Sequence, residues 1–484
     1  MGSQVSLPLW IVIAMALFAA IAMLDRILIP SVRWALRRRA NRVIEEVNTR
    51  LKLRIQPFKL TKRQVLIDQL VFDPEVVHAA DQYAKEAGVP GEVAMEKVRR
   101  YAREIVPAFS AYAYFRVGTR IARWVSQVLY RVRIGVGNDD ALAAVDPASS
   151  VIFVINHRSN MDYVLVTYVA ATSSALSYAV GEWANIWGLS GLIRSMGAYF
   201  VARDSREGLY RKVLARYVHM ATAAGVTQAV FPEGGLSRDG TLRPPKFGLL
   251  SYMVASFDPH GPRDVVFIPV AVNYDRVLED RMLTSAASTP AGVKPVFGFN
   301  LATFSRHFFR HIKMALRGEW YRFGYTCVSF GDPVSLRKYV DDRKIDFRML
   351  APQARHDEIE RLGSQLMEAV GRAVPALPVS LVATALLAAG DQPLTLFEIK
   401  AKVSALINEL EGRGLYVHIP RADRDYAISV GLRMLTLRHL VDEDDGSYRA
   451  NPEELVLLRY YANAIAHLFK ATATAPLARQ PALA

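Results

Sequence analysis

The sequence predicts an α/β protein with a central, mixed and mostly buried sheet flanked by helices, helical N- and C-terminal regions, and one N-terminal transmembrane helix. Three observations lead to this fold class. Between residues 149 and 330, short apolar runs of the buried-strand type alternate with helical patterns, which is typical of an α/β domain. After Pro352 the apolar residues recur at helical spacing. Leu7–Leu24 is long and uncharged enough to span a bilayer.

Length and composition restrict the class of protein. The 484 residues, 51% hydrophobic and 22% charged, exclude a disordered chain and allow roughly two to four domains. Cys327 is the single cysteine of the sequence, which excludes an intramolecular disulfide and a cysteine-rich metal cluster. The net charge of +14 favours an anionic partner, and composition alone leaves nucleic acid, anionic lipid and a phosphorylated substrate open.

Leu7–Leu24 is the predicted transmembrane helix. Its 18 uncharged residues would form a helix about 27 Å long, close to the thickness of the hydrocarbon core. Six arginines follow between residues 26 and 42, and no basic residue precedes it, so the positive-inside rule places the rest of the chain in the cytoplasm. A cleaved signal peptide is the alternative, since Ala20-Ile21-Ala22 resembles a cleavage site, but the basic n-region is missing. We therefore expect a single-pass protein of the cell inner membrane with the chain after Arg26 on the cytoplasmic face.

Most of the net charge directly follows this stretch. Residues 26–63 contain 12 basic and two acidic residues, which accounts for +10 of the +14. Each cation near an anionic leaflet gains about 1 kcal/mol, so we expect anionic membrane lipids as a partner. Tyr101–Arg133 predicts an amphipathic helix whose basic stripe, formed by Arg116, Arg120 and Arg123, is either solvated or in contact with lipid.

The elements of the α/β domain follow from the apolar runs. The predicted strands are Val151–Ile155, Leu176–Val180, Gln228–Phe231, Val265–Asn273 and Thr326–Phe330, with helices Leu209–Ala224 and Leu249–Phe257 among them. The chain thus divides into an anchor (1–30), a basic and helical region (31–135), an α/β domain (136–350) and a helical C-terminal domain (351–484). Residues 395–449 resemble a winged helix, but the acidic run Asp442–Asp445 would repel DNA, so nucleic-acid binding is disfavoured.

The most informative motif is Asn156-His157-Arg158-Ser159-Asn160-Met161-Asp162. A histidine at the end of a buried strand and an aspartate early in the next helix place two polar side chains at the carboxyl edge of the sheet, where open α/β sheets bind ligands. A neutral His157 can take a proton from a hydroxyl, and Asp162 can hold its tautomer and stabilise the imidazolium. A lone His and Asp at this spacing are more often structural than catalytic.

Three further stretches follow this motif. Gly197–Arg203 is a short apolar strand that delivers an arginine to its end. Phe231–Gly240, a glycine-rich loop with one glutamate and nearby cations, suits an oxyanion or a phosphate. Phe267–Val272 contains Pro269, which indicates an edge, a bulge or a pocket wall. Each stretch also has an ordinary explanation, namely a solvated arginine, a simple turn or an edge strand.

In this order and at these intervals, the four stretches resemble the four blocks of the glycerolipid acyltransferase superfamily, the first of which is a His-x4-Asp pair. Three other segments are similar to parts of the membrane-bound glycerol-3-phosphate acyltransferases of bacteria and mitochondria: Tyr101–Ile105, Pro378–Leu387 and Arg459–Phe469. The likeness covers roughly residues 101–469.

The resemblance implies transfer of a fatty acyl chain from acyl-CoA or acyl-carrier protein to the sn-1 hydroxyl of glycerol 3-phosphate, giving lysophosphatidate for phospholipid biosynthesis. It implies no covalent acyl-enzyme, no metal and no other cofactor. His157 would be the general base and Asp162 its orienting partner, while the amides of Gly234 and Gly235 would stabilise the oxyanion. The other substrate-binding residues that it implies are Arg203, Glu233, Ser237, Arg238 and Lys246.

Leu236 departs from the family pattern, which commonly has an arginine between the glycine pair and the serine. Either another residue compensates for this absent cation, or the acceptor is lysophosphatidate, dihydroxyacetone phosphate or another lipid alcohol. A thioesterase or lipase is less favoured, because the sequence has no Gly-x-Ser-x-Gly nucleophile elbow. A non-catalytic membrane scaffold would have no need to retain His157, Asp162 and Glu233.

Overall fold

The structure is a computed structural model, and it describes residues 55–170, 175–181, 190–201, 208–287 and 323–470. These residues all fall within one compact unit, Lys52–Ala484. Leu7–Leu24 and most of the basic run 26–63 lie outside the described residues. The division of the chain into four regions remains a prediction.

Strands of the described ranges form one large and one small sheet. They are β1 Arg131–Ile134, β2 Ser150–Ile155, β3 Ser177–Gly181, β4 Tyr199–Val201, β5 Gln228–Val230, β6 Val265–Tyr274, β7 Tyr325–Phe330, β8 Val334–Ser335, β9 Leu394–Thr395, β10 Val441–Asp444 and β11 Ser447–Ala450. The large sheet has the order β1-β7-β6-β2-β5-β3-β4, with β8 beside β6. Since β7 and β8 run antiparallel to β6 and the other pairs are parallel, the sheet is mixed, as predicted.

Helices cover both faces of this sheet. They are α1 Pro57–Leu60, α2 Arg63–Val71, α3 Pro74–Ala87, α4 Gly91–Ile105, α5 Thr119–Leu129, α6 Asp139–Ala143, α7 Met161–Ala170, α8 Ser190–Ser195, α9 Gly208–Ala223, α10 Gly248–Val254, α11 Asp280–Ala287, α12 Leu336–Arg343, α13 Pro352–Ala373, α14 Pro378–Ala389, α15 Leu396–Gly412, α16 Arg424–Thr436 and α17 Leu455–Ala466.

The alternation of side chains along β2 explains why the strand is apolar throughout. Val151, Phe153 and Ile155 belong to one core cluster, which also contains residues of α14 and α17. Ile152 and Val154 belong to a second cluster, which contains residues of α2, α3, α4, α9 and α13. Successive residues of a strand point to opposite faces, so a strand that is covered on both sides loses the polar half of the usual alternation.

Two sequence predictions need correction in detail. Tyr101–Arg133 is not one helix: α4 ends at Ile105, a π-helical turn Ala113–Gly118 leads into α5, and Arg131 already begins β1. Pro107 lies in the break, where a proline removes a backbone donor and disfavours a continuous helix. The C-terminal region is not entirely helical, because β9, β10 and β11 form a three-stranded sheet in which β11 is central.

The predicted localisation as a single-pass inner-membrane protein also needs correction. Within the parts of the chain that the structure describes, no helix combines the length and the apolar character needed to cross a membrane. The expectation rested on Leu7–Leu24, which lies outside those parts. The described helices therefore do not support a single-pass location.

The carboxyl group of Asp275 joins β6, β7 and α14. Its Oδ2 accepts the amide hydrogen of Tyr325 at 2.8 Å, and its Oδ1 accepts that of Val379 at 3.1 Å. Burial raises the pKa of Asp275 to about 7, although both amides act in the opposite direction. An unfolded aspartate loses its proton near pH 4. Between about pH 4 and pH 7 the folded chain thus holds one proton more than the unfolded chain, and this group contributes less stability as the pH rises.

The Asp275→Asn substitution should remove this pH dependence. We expect the free energy of unfolding of the wild type, relative to that of the variant, to fall by about 1.4 kcal/mol per pH unit between about pH 4 and pH 7. Urea unfolding followed by circular dichroism at several pH values measures this difference. A difference that stays constant over the whole window would contradict a buried titration at Asp275.

Candidate active site

The side chain of Asn156 fixes the end of β2 to β6. Its Nδ2 donates to the carbonyl oxygen of Val272 at 3.0 Å, and its Oδ1 accepts from the Val272 amide at 2.8 Å. This reciprocal pair continues the parallel ladder in which Ser150 to Ile155 face Val265 to Val270. His157 is the next residue, so it is held at the carboxyl edge of the sheet.

His157 and Asp162 form a buried pair at this edge. Asp162 lies in the first turn of α7; it is 0% exposed and His157 is 2% exposed. His157 Nδ1 lies 2.9 Å from Asp162 Oδ2. An ionised carboxylate can only accept hydrogen bonds, so Nδ1 donates and Nε2 keeps its lone pair in the neutral ring. Nε2 has no hydrogen-bond partner within the described residues, which leaves it available to a substrate hydroxyl.

Aromatic side chains hold the plane of the imidazole. The ring centroid of His157 lies 4.5 Å from that of Phe231 and 5.4 Å from that of Tyr163. Tyr163 follows Asp162 in α7, and Phe231 follows β5 directly. The ring is thus oriented by its carboxylate partner and by contacts from two neighbouring elements.

Glu233 connects the His157 backbone to the glycine-rich loop. Its Oε1 accepts the amide hydrogen of His157 at 2.8 Å and its Oε2 that of Arg243 at 3.0 Å. The side chain is buried, and burial raises its pKa although both amide hydrogen bonds act in the opposite direction. With one backbone amide on each oxygen, the carboxylate holds the loop against the strand end that carries His157.

Ser237 makes a second connection between the loop and this strand end. Its amide donates to the carbonyl oxygen of His157 at 3.1 Å, and its hydroxyl donates to the carbonyl oxygen of Thr241 at 2.7 Å. Gly234 has a φ of 64°, and its amide donates to Phe231 O at 3.0 Å. The amide of Gly235 has no hydrogen-bond acceptor within the described part of the chain, so it is the member of the glycine pair that can still donate.

The predicted cations lie in different surroundings. Lys246 is exposed, and its side chain packs over Gly234, where a Cβ would come within 2.7 Å of Lys246 Cδ. Arg238 is exposed on the same loop. Arg203 lies outside the described residues, beyond the end of β4. The structure therefore brings Lys246 and Arg238 to the glycine-rich loop and describes nothing about Arg203.

Sequence reasoning missed two residues that contact the His-x4-Asp motif. The Tyr274 hydroxyl donates to Asp162 Oδ1 at 2.6 Å. Glu279 accepts from the Ser159 hydroxyl at 2.7 Å and from the Asn160 amide at 3.2 Å, and burial raises the pKa of this carboxyl. The sequence signal that could have indicated Tyr274 is its position at the end of a predicted strand. This strand, β6, ends at the same edge of the sheet as β2.

The C-terminal helix α17 reaches both loops of the site. Arg158 is buried and donates from Nη2 to the carbonyl oxygen of Ala464 at 3.0 Å. Asn463 donates from Nδ2 to the carbonyl oxygen of Asp239 at 2.9 Å. Gly240, with a φ of 84°, lies so close that a Cβ would be 1.9 Å from Tyr460 O. The last two turns of α17 thus contact both the His-x4-Asp motif and the glycine-rich loop.

Two family models match parts of this chain. Residues 133–273, which include the sheet edge and His157, match the acyltransferase family model. Residues 308–480, which include α17, match the model of the glycerol-3-phosphate acyltransferase C-terminal region. The first match defines the class of the α/β domain as an acyltransferase domain. The second match confirms the resemblance to the glycerol-3-phosphate acyltransferases that the motifs indicated.

Named relatives agree with these matches. The glycerol-3-phosphate acyltransferase of Aeromonas hydrophila is 27% identical over 421 residues, which cover 85% of this chain and 50% of that protein. The enzyme of the same name from Pseudomonas entomophila is 28% identical over 448 residues, covering 89% of this chain and 52% of that protein. The chain thus spans about half the length of the curated relatives it matches. The solved 1-acyl-sn-glycerophosphate acyltransferase of Thermotoga maritima is 19% identical, and the match covers 63% of this chain and 97% of that chain with a TM-score of 0.29.

The close approach of Gly240 to α17 leads to a stability prediction. Gly240→Ala should lower the free energy of unfolding by about 3 kcal/mol or more, because the methyl group adds a clash with the Tyr460 carbonyl to the strain of a positive φ. Gly88→Ala is the matched control, since Gly88 is in the left-handed region with a φ of 64° and has open space around it; it should cost about 1–2 kcal/mol. Urea unfolding measures both values. Equal losses would mean that the loop does not pack tightly on α17.

Proposed function

We propose that the protein is a glycerol-3-phosphate 1-O-acyltransferase, which transfers a fatty acyl chain from acyl-CoA or acyl-carrier protein to the sn-1 hydroxyl of glycerol 3-phosphate and yields lysophosphatidate. The single observation that carries the proposal is the buried His157–Asp162 pair, with Nε2 directed away from the carboxylate, at the edge of a domain that matches the acyltransferase model. The C-terminal match and the named relatives support the choice of acceptor.

In the proposed reaction, His157 Nε2 takes the proton of the acceptor hydroxyl as its oxygen attacks the thioester carbonyl. Asp162 stabilises the imidazolium that forms, because its carboxylate is already bound to Nδ1–H. The Gly235 amide is the proposed donor to the tetrahedral oxyanion. The intermediate then collapses to the ester and expels the thiolate of the donor, which receives the proton from the imidazolium. The two substrates exchange the acyl group directly, so the proposal includes no metal or other cofactor.

Loss of the proposed base tests the reaction. His157→Ala should lower kcat/KM for acyl transfer from acyl-CoA to glycerol 3-phosphate by about 10²- to 10⁴-fold, since a positioned general base contributes about this much. The measurement follows labelled lysophosphatidate in wild type and variant. His356→Ala is the matched control, because His356 is exposed on α13, and it should retain full activity.

The same assay separates the acceptors and excludes hydrolysis. Dihydroxyacetone phosphate and lysophosphatidate are offered beside glycerol 3-phosphate, and CoA release is recorded without any acceptor. Transfer to lysophosphatidate alone would overturn the proposed acceptor. Unchanged transfer by the His157→Ala variant would overturn the proposed mechanism.

Arg243 is the proposed replacement for the cation that Leu236 cannot provide. The side chain of Leu236 packs against the apolar core, and its carbonyl oxygen accepts from Arg243 Nη1 at 3.3 Å. The Arg243 amide binds the same Glu233 carboxylate that accepts the amide of His157. The guanidinium thus lies beside the backbone of Leu236, the residue at which the family pattern has its arginine. Together with Arg238 and Lys246, it would neutralise the phosphate of the acceptor, and Arg203 stays a proposed contributor.

Removing the charge of Arg243 tests whether this residue binds the phosphate of the acceptor. Arg243→Leu should raise KM for glycerol 3-phosphate by about 10- to 100-fold with a smaller effect on kcat, because a charge-assisted contact to the ground state is lost. Arg243→Lys, which keeps a positive charge, should lose less affinity than Arg243→Leu. Arg281→Leu is the control, since Arg281 is an exposed arginine paired with Glu454. An unchanged KM in Arg243→Leu would contradict the role of Arg243.

Anionic membrane lipids are part of the proposal as a partner. Val117, Ile121 and Trp124 are 37%, 46% and 50% exposed, and Arg120 and Arg123 are exposed beside them. An apolar stripe flanked by arginines suits the interface of an anionic bilayer. This support comes from the described residues and does not depend on a membrane-spanning helix.

A further inference from the structure

The carboxylate of Asp162 accepts hydrogen bonds on both oxygens. Oδ2 accepts from His157 Nδ1 at 2.9 Å, from the Arg158 amide at 2.7 Å and from the Ser159 amide at 3.0 Å. Oδ1 accepts from the hydroxyl of Tyr274 at 2.6 Å. The three donors on Oδ2 belong to the His-x4-Asp motif itself, whereas the donor on Oδ1 comes from a strand 112 residues away in sequence.

Packing holds the Tyr274 hydroxyl in this position. Tyr274 ends β6, is 1% exposed, and pairs through its backbone with Thr326 of β7. Its ring lies 5.3 Å from that of Tyr130, whose hydroxyl donates to the carbonyl oxygen of Arg276 at 2.9 Å. Burial first, and then the charge of Asp162, raise the pKa of Tyr274 well above its usual value. The phenol is therefore protonated at neutral pH, where it acts as a donor to Asp162.

We propose that Tyr274 is a positioning residue for the catalytic pair: its hydroxyl fixes one oxygen of Asp162 so that the other faces His157 Nδ1, and it draws negative charge away from that second oxygen. The residue acts through Asp162 and touches neither substrate. The role of His157 as a base rests on the proposed acyl transfer, whereas the effect of Tyr274 on the protonation of His157 can be measured without any substrate.

The direction of the effect follows from electrostatics. A hydrogen bond to a carboxylate stabilises its negative charge and weakens its attraction for a neighbouring cation. When the phenol is removed, the charge on Asp162 attracts the protonated imidazole more strongly, so His157 keeps its proton to a higher pH. A larger share of the enzyme then carries the imidazolium near neutral pH, and this form cannot accept a proton from the acceptor.

Other charged and titratable groups also face the pair, from each element packed against it. They are Glu233 of the glycine-rich loop, Arg158 of the motif, Tyr163 of α7, and Glu279 with Tyr130 on the side of Tyr274. All of them remain in place in a Tyr274→Phe variant, which deletes one hydroxyl and keeps the ring. A change in the pH profile of that variant therefore reports the lost hydrogen bond.

The test compares Tyr274→Phe with wild type from pH 5 to pH 9. We expect the acidic limb of kcat/KM for acyl transfer to move up by about 0.5–1 pH unit. The pH-independent maximum should fall by about tenfold, less than when the base itself is removed. The NMR titration of the His157 Cε1–H signal, assigned by its loss in His157→Ala, should move in the same direction by the same amount. An acidic limb and an NMR midpoint that both match the wild type would overturn the inference.

Two further variants keep the test decisive. Tyr199→Phe removes the hydroxyl of a buried tyrosine of β4 in the other core cluster, which has no hydrogen-bond partner within the described residues; it should leave the pH profile unchanged. Site-specific 3-fluorotyrosine at position 274 keeps the shape of the side chain and makes the phenol a stronger donor, so the acidic limb should move down. This variant gives the answer if Tyr274→Phe does not fold. An NMR shift in a protein that transfers no acyl group would refute the proposed function and leave the role of Tyr274 intact.

Discussion

The fully buried carboxylate of Asp162 is the group on which the arrangement of the site depends. A charge in a protein interior is costly unless it is paired and hydrogen-bonded, and Asp162 is 0% exposed. Its donors come from the loop after β2, from the imidazole of His157 and from Tyr274 of β6. Removing any of them would leave part of a buried charge unsatisfied, so the loop, the ring and the strand are constrained together.

The neighbouring carboxylates extend this constraint outward. Glu233 binds the amides of His157 and Arg243, and Glu279 binds the hydroxyl of Ser159 and the amide of Asn160. Both use backbone or hydroxyl donors of the two site loops, and neither is paired with a cation by a hydrogen bond among the described residues. The acidic residues of the site therefore organise the backbone, and the substrate would meet the imidazole and the loop amides. These hydrogen bonds are formed without any substrate in the site, which is what electrostatic preorganisation requires.

The glycine-rich loop shows how far sequence reasoning reached. The pattern indicated a glycine-rich loop after a strand, and the structure has this loop after β5, with a positive φ at Gly234 and a close backbone approach at Gly240. The contacts of individual residues in this loop could not be predicted as well from the sequence. Glu233 and Ser237 were expected at the substrate, and the structure shows that they also bind the backbone of His157. Which of the two glycine amides remains able to donate depends on the turn geometry, which a pair of adjacent glycines in the sequence does not specify.

The sequence by itself determined the alternation of buried strands and helices and the His157–Asp162 pair. These features are local: a strand that is apolar on both faces, and two residues that are five apart across a strand end and a helix start. Only the tertiary structure decided which distant groups complete the site. Tyr274, Ala464 and Asp239 make their contacts across 112, 306 and 224 residues of chain. The physical reason is that such contacts depend on the strand order and on the docking of α17 against the loops, and neither leaves a periodic signal in the sequence.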